Sequence, residues 1–303
     1  MKKYYLLPLF LLFLTISFSQ KKKKNSDDVL KASDLSGLKF RSVGPAFMSG
    51  RIADIAINPE NENEWYVAVG SGGVWKTINS GTTWNPITDD QSFYSTGCIT
   101  IDPNNSSKIW LGTGENVGGR HVGIGHGIYV SENGGKNWKS MGLKSSEHIS
   151  KIIVSPNDSN VVFVASQGPL WSSGGERGLF KTNDGGKSWN NVLSVNEWTG
   201  VTDIAIDNEN PNILYAATWQ RHRNVASYMG GGPGTSIYKS VDNGNTWNEI
   251  KNGLPSSNLG KIGLAISPFD SSILYAAVET DRRNGAVYKT NDSGGSWKKM
   301  SDT

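Results

Sequence analysis

Four acids stand in polar, glycine-rich stretches between strongly apolar runs: Glu115, Glu176, Glu279 and Asp281. Two carboxyl groups placed either side of a glycosidic bond can cleave it, one as proton donor and the other as base or nucleophile. Around these acids lie Arg120, His121, Trp171, Arg177, Trp219, Arg221, Arg223, Tyr228 and Arg282. Guanidinium forks match carboxylates, and indole or phenol rings offer a flat apolar face with a polar edge. This set is expected to hold a ligand, and replacing Trp219, Arg221 and Arg223 together is expected to abolish binding with little change in melting temperature. A solvated rim with scattered ion pairs is the plainer alternative for the same residues. His121 and His126 with Glu115 lack a His-Glu-x-x-His phrase, so no metal is expected. Gly118-Gly119 and Gly230-Gly-Gly232 are followed by neither a helix start nor Lys-Ser/Thr, so they are not phosphate loops and no cofactor is expected.

The elements that must position these residues repeat. An eight-residue phrase begins at Thr77, Ser131, Thr182, Ser240 and Thr290, each time closing on tryptophan: Trp84, Trp138, Trp189, Trp247 and Trp297. Before each phrase come three apolar, β-branched runs, such as Val201–Ile206, Ile213–Ala217 and Ile237–Ser240, and after it a short fourth run, such as Asn248–Ile250. Four strands per unit, repeated radially, predict an all-β protein, a β-propeller of four-stranded blades. Within each phrase Asn79, Asn133, Asp184, Asp242 or Asp292 can accept from a backbone amide two residues on. A glycine supplies positive φ, with Gly294 and Gly295 both open for the last phrase. Each closing tryptophan is expected to lie on its own sheet. Strand parity puts the phrase turns on one end of the propeller. The loops joining strands two and three, and those joining successive blades, fall on the other end. All the candidate residues above belong to that second end, where loop lengths vary most.

The Gly-aromatic-Lys-Thr/Ser strand followed by this turn resembles the BNR/Asp-box superfamily. That group includes sialidases, xyloglucanase-like glycoside hydrolases, photosystem-assembly propellers and sortilin-type receptor domains. The resemblance covers residues 38–303 and implies the propeller fold. In the xyloglucanase-like family a catalytic aspartate precedes a Gly-Gly in the first blade. Here the matching stretch is Tyr66-Val-Ala-Val-Gly70-Ser71-Gly72-Gly73, and Gly70 stands where that carboxylate would be. Sialidases carry a Phe/Tyr-Arg-Ile-Pro segment, which Phe40-Arg41-Ser42-Val43-Gly44-Pro45 echoes only loosely. Sortilin-type domains precede a cysteine-rich module, and this chain has Cys98 alone.

The chain has 303 residues and a formal net charge of +3. Lysines at the N-terminus carry that excess, and residues beyond 36 are nearly neutral, with no footprint for nucleic acid. One cysteine rules out an internal disulfide framework. Lys2-Lys3 followed by an apolar run to Leu14 and small residues before Gln20 reads as an export signal over 1–19, with a polar lead-in over 20–36. That apolar run is too short to span a bilayer, so no stable membrane insertion is expected after cleavage. The domain over 37–303 is thus expected to work outside the cytoplasm. It holds five phrase-bearing blades and is expected to form part of a ring of seven or more. Leu38–Gly44 is expected to supply a fourth strand to a later blade. The expected function is a module recognising protein or carbohydrate through its loop-rich face. The alternative is a secreted glycoside hydrolase of the same superfamily.

Overall fold

The computed structural model describes residues 50–280 and 285–301, with Asp34, Ser36 and Gly37. The chain divides into Met1–Met48 and Ser49–Thr303. The export signal, the lead-in, the early strand Leu38–Gly44, Asp281 and Arg282 lie outside the described residues. Among the described residues no helix is long and apolar enough to cross a membrane.

The second unit is built from five four-stranded antiparallel sheets, each a meander in chain order. Sheet one holds β1 (Ile52–Ile57), β2 (Trp65–Val69), β3 (Gly73–Thr77) and β4 (Asn85–Pro86). Sheet two holds β5 (Thr96–Asp102), β6 (Asn105–Thr113), β7 (Ile128–Ser131) and β8 (Lys139–Ser140), and sheet three β9 (Ile149–Ser155), β10 (Asp158–Ser166), β11 (Gly178–Thr182) and β12 (Asn190–Leu193). In sheet four, β13 (Thr199–Ile206) and β14 (Leu214–Gln220) are separated from β17 (Ile237–Ser240) and β18 (Asn248–Glu249) by a ribbon of β15 (His222–Arg223) and β16 (Tyr228–Met229). Sheet five holds β19 (Leu259–Ile266), β20 (Leu274–Thr280), β21 (Ala286–Thr290) and β22 (Lys298–Lys299).

Successive sheets, here called blades, meet face to face, and the hydrophobic core is divided accordingly. One cluster joins Tyr66, Ala68 and Val74 of blade one to Ile99, Leu111 and Tyr129 of blade two. A second joins Trp110 and Val130 to Ile152 and Val164. A third joins Phe163 and Leu179 to Ile204 and Leu214. The last joins Tyr215 and Ile237 to Ile262 and Tyr288. Period-two alternation supplies apolar groups to both faces of a blade, and each face then needs a neighbour. Strand β11 is accordingly buried at all five positions, whereas β1 is not buried at any.

The turn phrases form one repeated device. Gly81, Gly135, Gly186, Gly244 and Gly294 each donate their amide to the Thr or Ser hydroxyl four residues earlier, at 2.9–3.0 Å. The Asn or Asp oxygen accepts the amide four residues on, at Thr83, Asn137, Ser188, Thr246 and Ser296, rather than two residues on as the sequence suggested. The amide two residues on is already engaged by the hydroxyl. In the last phrase Gly294, at φ +88°, takes the left-handed position. Hydroxyl donors also stabilise the carboxylates. Ser188 holds Asp184, and Thr246 holds Asp242, far below the usual carboxylate range, and Thr290 pushes Asp292 down to about 2.

Trp84 packs on Trp65 of its own sheet, with ring centroids 6.4 Å apart, as expected, whereas three of the five closing tryptophans reach further. Trp138, Trp189 and Trp297 donate their indole N–H to Ile87, Met141 and Ile250 carbonyls of the preceding blade, at 3.2, 2.7 and 3.2 Å. Each is therefore a joint between blades instead of a lid on its own sheet.

Candidate ligand-binding face

Every β-strand pair nearest the axis slips register once near its loop end, as between Ile52 and Asp54 and between Val201 and Asp203. Such a bulge re-aims the next side chain. The two aspartates that follow are used between blades. Asp54 accepts from Ile99 N at 3.0 Å and Asp203 from Leu264 N at 2.7 Å. Burial raises the pKa of Asp203. These residues line a cleft of about 650 Å³ together with Lys151, Lys261, Glu279 and Asn116.

Over this cleft the long loops are fastened to one another by arginines. Arg221, on the turn between β14 and β15, donates to Val117 O of the blade-two loop and to Gly168 O of the blade-three loop, both at 3.0 Å. Arg223 donates twice to Gly118 O, at 3.0 and 2.8 Å, and Arg120 returns the contact to Val225 O at 2.8 Å. Gly118 lies under Tyr228, whose hydroxyl fills the space a side chain at 118 would need. Lys261 reaches from blade five to Asn116 O at 2.7 Å. Arg177 donates to five backbone carbonyls, those of Gln167, Pro169, Ser172, Gly174 and Trp198.

This geometry corrects the expectation for three residues. Arg177, Arg221 and Trp219 are 5, 0 and 3% exposed, and every hydrogen bond that they donate goes to a main-chain carbonyl. They hold the loops and are not presented to a ligand. Trp219 lies between two cations, Arg221 at 5.2 Å and Lys261 at 5.3 Å from its ring. Burial, with the neighbouring positive charge, pushes Arg221 down to about 9 and Lys261 down to about 8. Arg223 is half-buried and stacks on Tyr228 at 4.4 Å. Replacing Trp219, Arg221 and Arg223 together would therefore unfasten the loops as well as alter the surface.

What remains accessible is a smaller set. Trp171 and Tyr228 are 42 and 40% exposed, and Arg120 and His121 are exposed on the blade-two loop. Tyr94, on a linking loop, is exposed too, and Trp198 stacks against His222 at 4.2 Å.

The acids differ sharply in what they can do. Glu115 is buried, and Arg51 donates to its Oε1 from Nη2 at 2.5 Å and from Nε at 3.1 Å. Its Oε2 accepts from Gly123 N at 2.9 Å. The carboxylate occupies the volume that a side chain at Gly70 would fill. Arg51 also contacts His121 Nε2 at 2.8 Å. Because a guanidinium only donates, that nitrogen is the acceptor and His121 is the Nδ1–H tautomer. Glu176 Oε2 caps the Ser145 turn through its amide and hydroxyl, at 2.8 and 2.9 Å. Glu279 is exposed, lines the cleft and, among the described residues, accepts from Lys261 N, at 3.1 Å, on Oε2. Arg51, Asn116 and Lys261 escaped the sequence reading. Strand parity alone puts Arg51, next to β1, at the loop end, but only the fold shows its partner 64 residues away. Among the described residues no cluster of His, Cys, Asp and Glu is arranged to hold a metal ion.

No family model matches the chain. It is similar to a xyloglucanase of a Paenibacillus species, 25% identical over 280 residues, 83% of this chain and 26% of that protein. A xyloglucanase of Hypocrea jecorina is 24% identical over 67% of this chain and 26% of its own length. The chain thus spans about a quarter of these relatives. Among solved structures, the GH74 enzyme of Niastella koreensis superposes with a TM-score of 0.63 at 17% identity, over 82% of this chain and 38% of that one. YCF48 bound to D1 peptide superposes with a TM-score of 0.53 at 18% identity, over 86 and 70%. These superpositions establish a shared propeller architecture.

Proposed function

We propose that this chain is the glycan-engaging part of an extracytoplasmic, carbohydrate-active propeller of glycoside-hydrolase type, with xyloglucan-like polysaccharide as its ligand. The observation that carries the reading is the loop face itself. Trp171 and Tyr228 stand exposed on loops that Arg221, Arg223 and Arg177 hold in place. A pyranose ring presents an apolar face of C–H bonds that stacks on such rings. Loops fixed before binding lose little further entropy when the ligand arrives. The similarity to xyloglucanases over most of this chain favours a sugar over a protein ligand.

Hydrolysis needs a carboxyl group able to give up a proton near the scissile bond. Glu115 is unsuited to that role, because it is buried against Arg51 and both of its carboxylate oxygens already accept hydrogen bonds. Its role is to tie the blade-two loop to the start of β1. Glu176 is held in a turn. Glu279 is exposed, lines the cleft and is the acid that would serve as proton donor if this stretch contributes one.

Calorimetric titration of the chain with xyloglucan oligosaccharides tests the reading. The variant Trp171→Ala should lose about 5-fold in affinity, since a stacked ring contributes roughly 1 kcal/mol, with an unchanged melting temperature. Undiminished affinity in that variant would remove the loop face as the site.

A further inference from the structure

Among the described residues, five that are not glycine take the left-handed backbone region: Ser80, Leu143, Glu147, Asn243 and Ser293. Ser80, Asn243 and Ser293 belong to turn phrases, where the conformation is part of the repeated turn. Leu143 and Glu147 lie outside them, both on the loop that joins β8 to β9. Packing accounts for Leu143, which is buried in the core between blades two and three. Glu147, at φ +56°, has no such account, because its side chain is 29% exposed. Strain of this kind persists only where the surroundings impose it, and it collects at ligand sites.

The surroundings impose it from two blades. The Glu147 carbonyl accepts from Gly125 N of the blade-two loop at 2.8 Å, and it lies so close to Gly114 that no side chain could stand there. Two residues earlier, Ser145 is bound by Glu176 of the blade-three loop. Glu147 therefore stands in the seam between the loop that bears Arg120 and His121 and the loop that bears Trp171.

Its carboxylate differs from those of the other loop-face acids. Glu115 spends both oxygens on hydrogen bonds, and Glu176 and Glu279 spend one each. Among the described residues neither oxygen of Glu147 accepts one, and its inward neighbour is His148 Nε2, 4.0 Å from Oε2. That nitrogen is itself an unpartnered acceptor in a fully buried ring, because Nδ1 carries the hydrogen donated to Glu115 O. Burial and the charges of Arg221 and Arg177 keep the ring neutral, with its pKa pushed down to about 3. One acceptor cannot hold another, so nothing draws the carboxylate inward. The charges around it also select what can approach. The carboxylate repels anions, and Arg177 and Arg221, both within its electrostatic reach, disfavour a cation. A neutral donor satisfies both conditions, and a hydroxyl is a strong partner for a carboxylate.

We propose that Glu147 is the polar anchor of the loop face, accepting hydrogen bonds from hydroxyls of the sugar whose ring stacks on the exposed aromatics. This rests on the carbohydrate reading above and adds a residue to it. His148 is a positioning residue, which keeps the anchor turned outward by offering it no hydrogen.

Glu147→Gln tests the assignment, with calorimetric titration against xyloglucan oligosaccharides and thermal unfolding as the two measurements. The new amide supplies the hydrogen that His148 Nε2 lacks, so the side chain should turn inward. The variant should melt at or above the wild-type temperature and yet bind about 10-fold more weakly, having lost a charged acceptor. A residue that only supports the fold would show the reverse, a lower melting temperature with affinity retained. Wild-type binding matched by the variant would overturn this inference and leave the carbohydrate reading standing. A variant that weakens only in step with a fall in melting temperature would also overturn it. A wild-type chain that binds no oligosaccharide would remove the carbohydrate reading and this inference with it.

Discussion

At the scale of single residues, His148 shows what the fastened loops do to chemistry. Its ring is fully buried, and its Nδ1 donates to the Glu115 carbonyl at 2.8 Å, leaving Nε2 without a hydrogen-bond partner. Burial, reinforced by the charge of Arg221, pushes its pKa down to about 3. An unfolded chain binds this proton near pH 6.5 whereas the folded chain refuses it until about pH 3. The stabilising effect is therefore complete above pH 6.5 and declines as pH falls through that window, by roughly 1.4 kcal/mol per unit at most. Box aspartates, whose pKa values are lowered, contribute in the same sense only below about pH 4, so they do not add to the histidine from about 4.5 to 6.5, where Asp203, whose pKa burial raises, acts in the opposite sense. Urea unfolding across that range should show the slope in the wild type. His148→Asn, which keeps the donor to Glu115, should flatten it. An equal slope in both proteins would mean that His148 is not the group responsible.

Sequence reasoning at this scale recognised residue types better than their roles. Gly70 was legible as a position without a carboxylate, but Glu115 filling its volume from the next blade was not. That contact depends on the path of a loop, which no local pattern encodes. The same limit applies to Arg177 and Arg221. An arginine in a long loop looks like a ligand clamp until its carbonyl partners, up to 104 residues away, are known.

At the scale of elements, the turn phrases were the most readable feature, because hydroxyl, carboxylate and left-handed glycine all lie within eight residues. Strand bulges were invisible, since they leave the apolar alternation intact on either side. Loop fastening gives a prediction of its own. Arg221→Met keeps much of the stem but abandons the Val117 and Gly168 carbonyls, costing about 1–3 kcal/mol for each that stays buried without a donor. The melting temperature should fall, amides of 115–127 should exchange faster, and xyloglucan affinity should weaken as a consequence. If affinity collapsed with exchange and melting unchanged, Arg221 would be a ligand contact after all.

At the scale of the whole second unit, the five-fold repeat forecast the five sheets because each must bury two apolar faces. Blades two to four do so, while Ile55 and Trp75 of blade one and Tyr275 of blade five are exposed among the described residues. The repeat could not say which end of the sheets engages a ligand, because all five turn phrases carry equally polar groups. Loop length and exposed rings are what the proposal of the other end rests on. Hydrogen exchange of the chain with and without xyloglucan oligosaccharide tests that assignment most directly. Protection should appear in the loops at 115–127, 167–177 and 221–236 and leave the five turn phrases at their unliganded rates. Protection centred on those phrases, or none at saturating sugar, would contradict it.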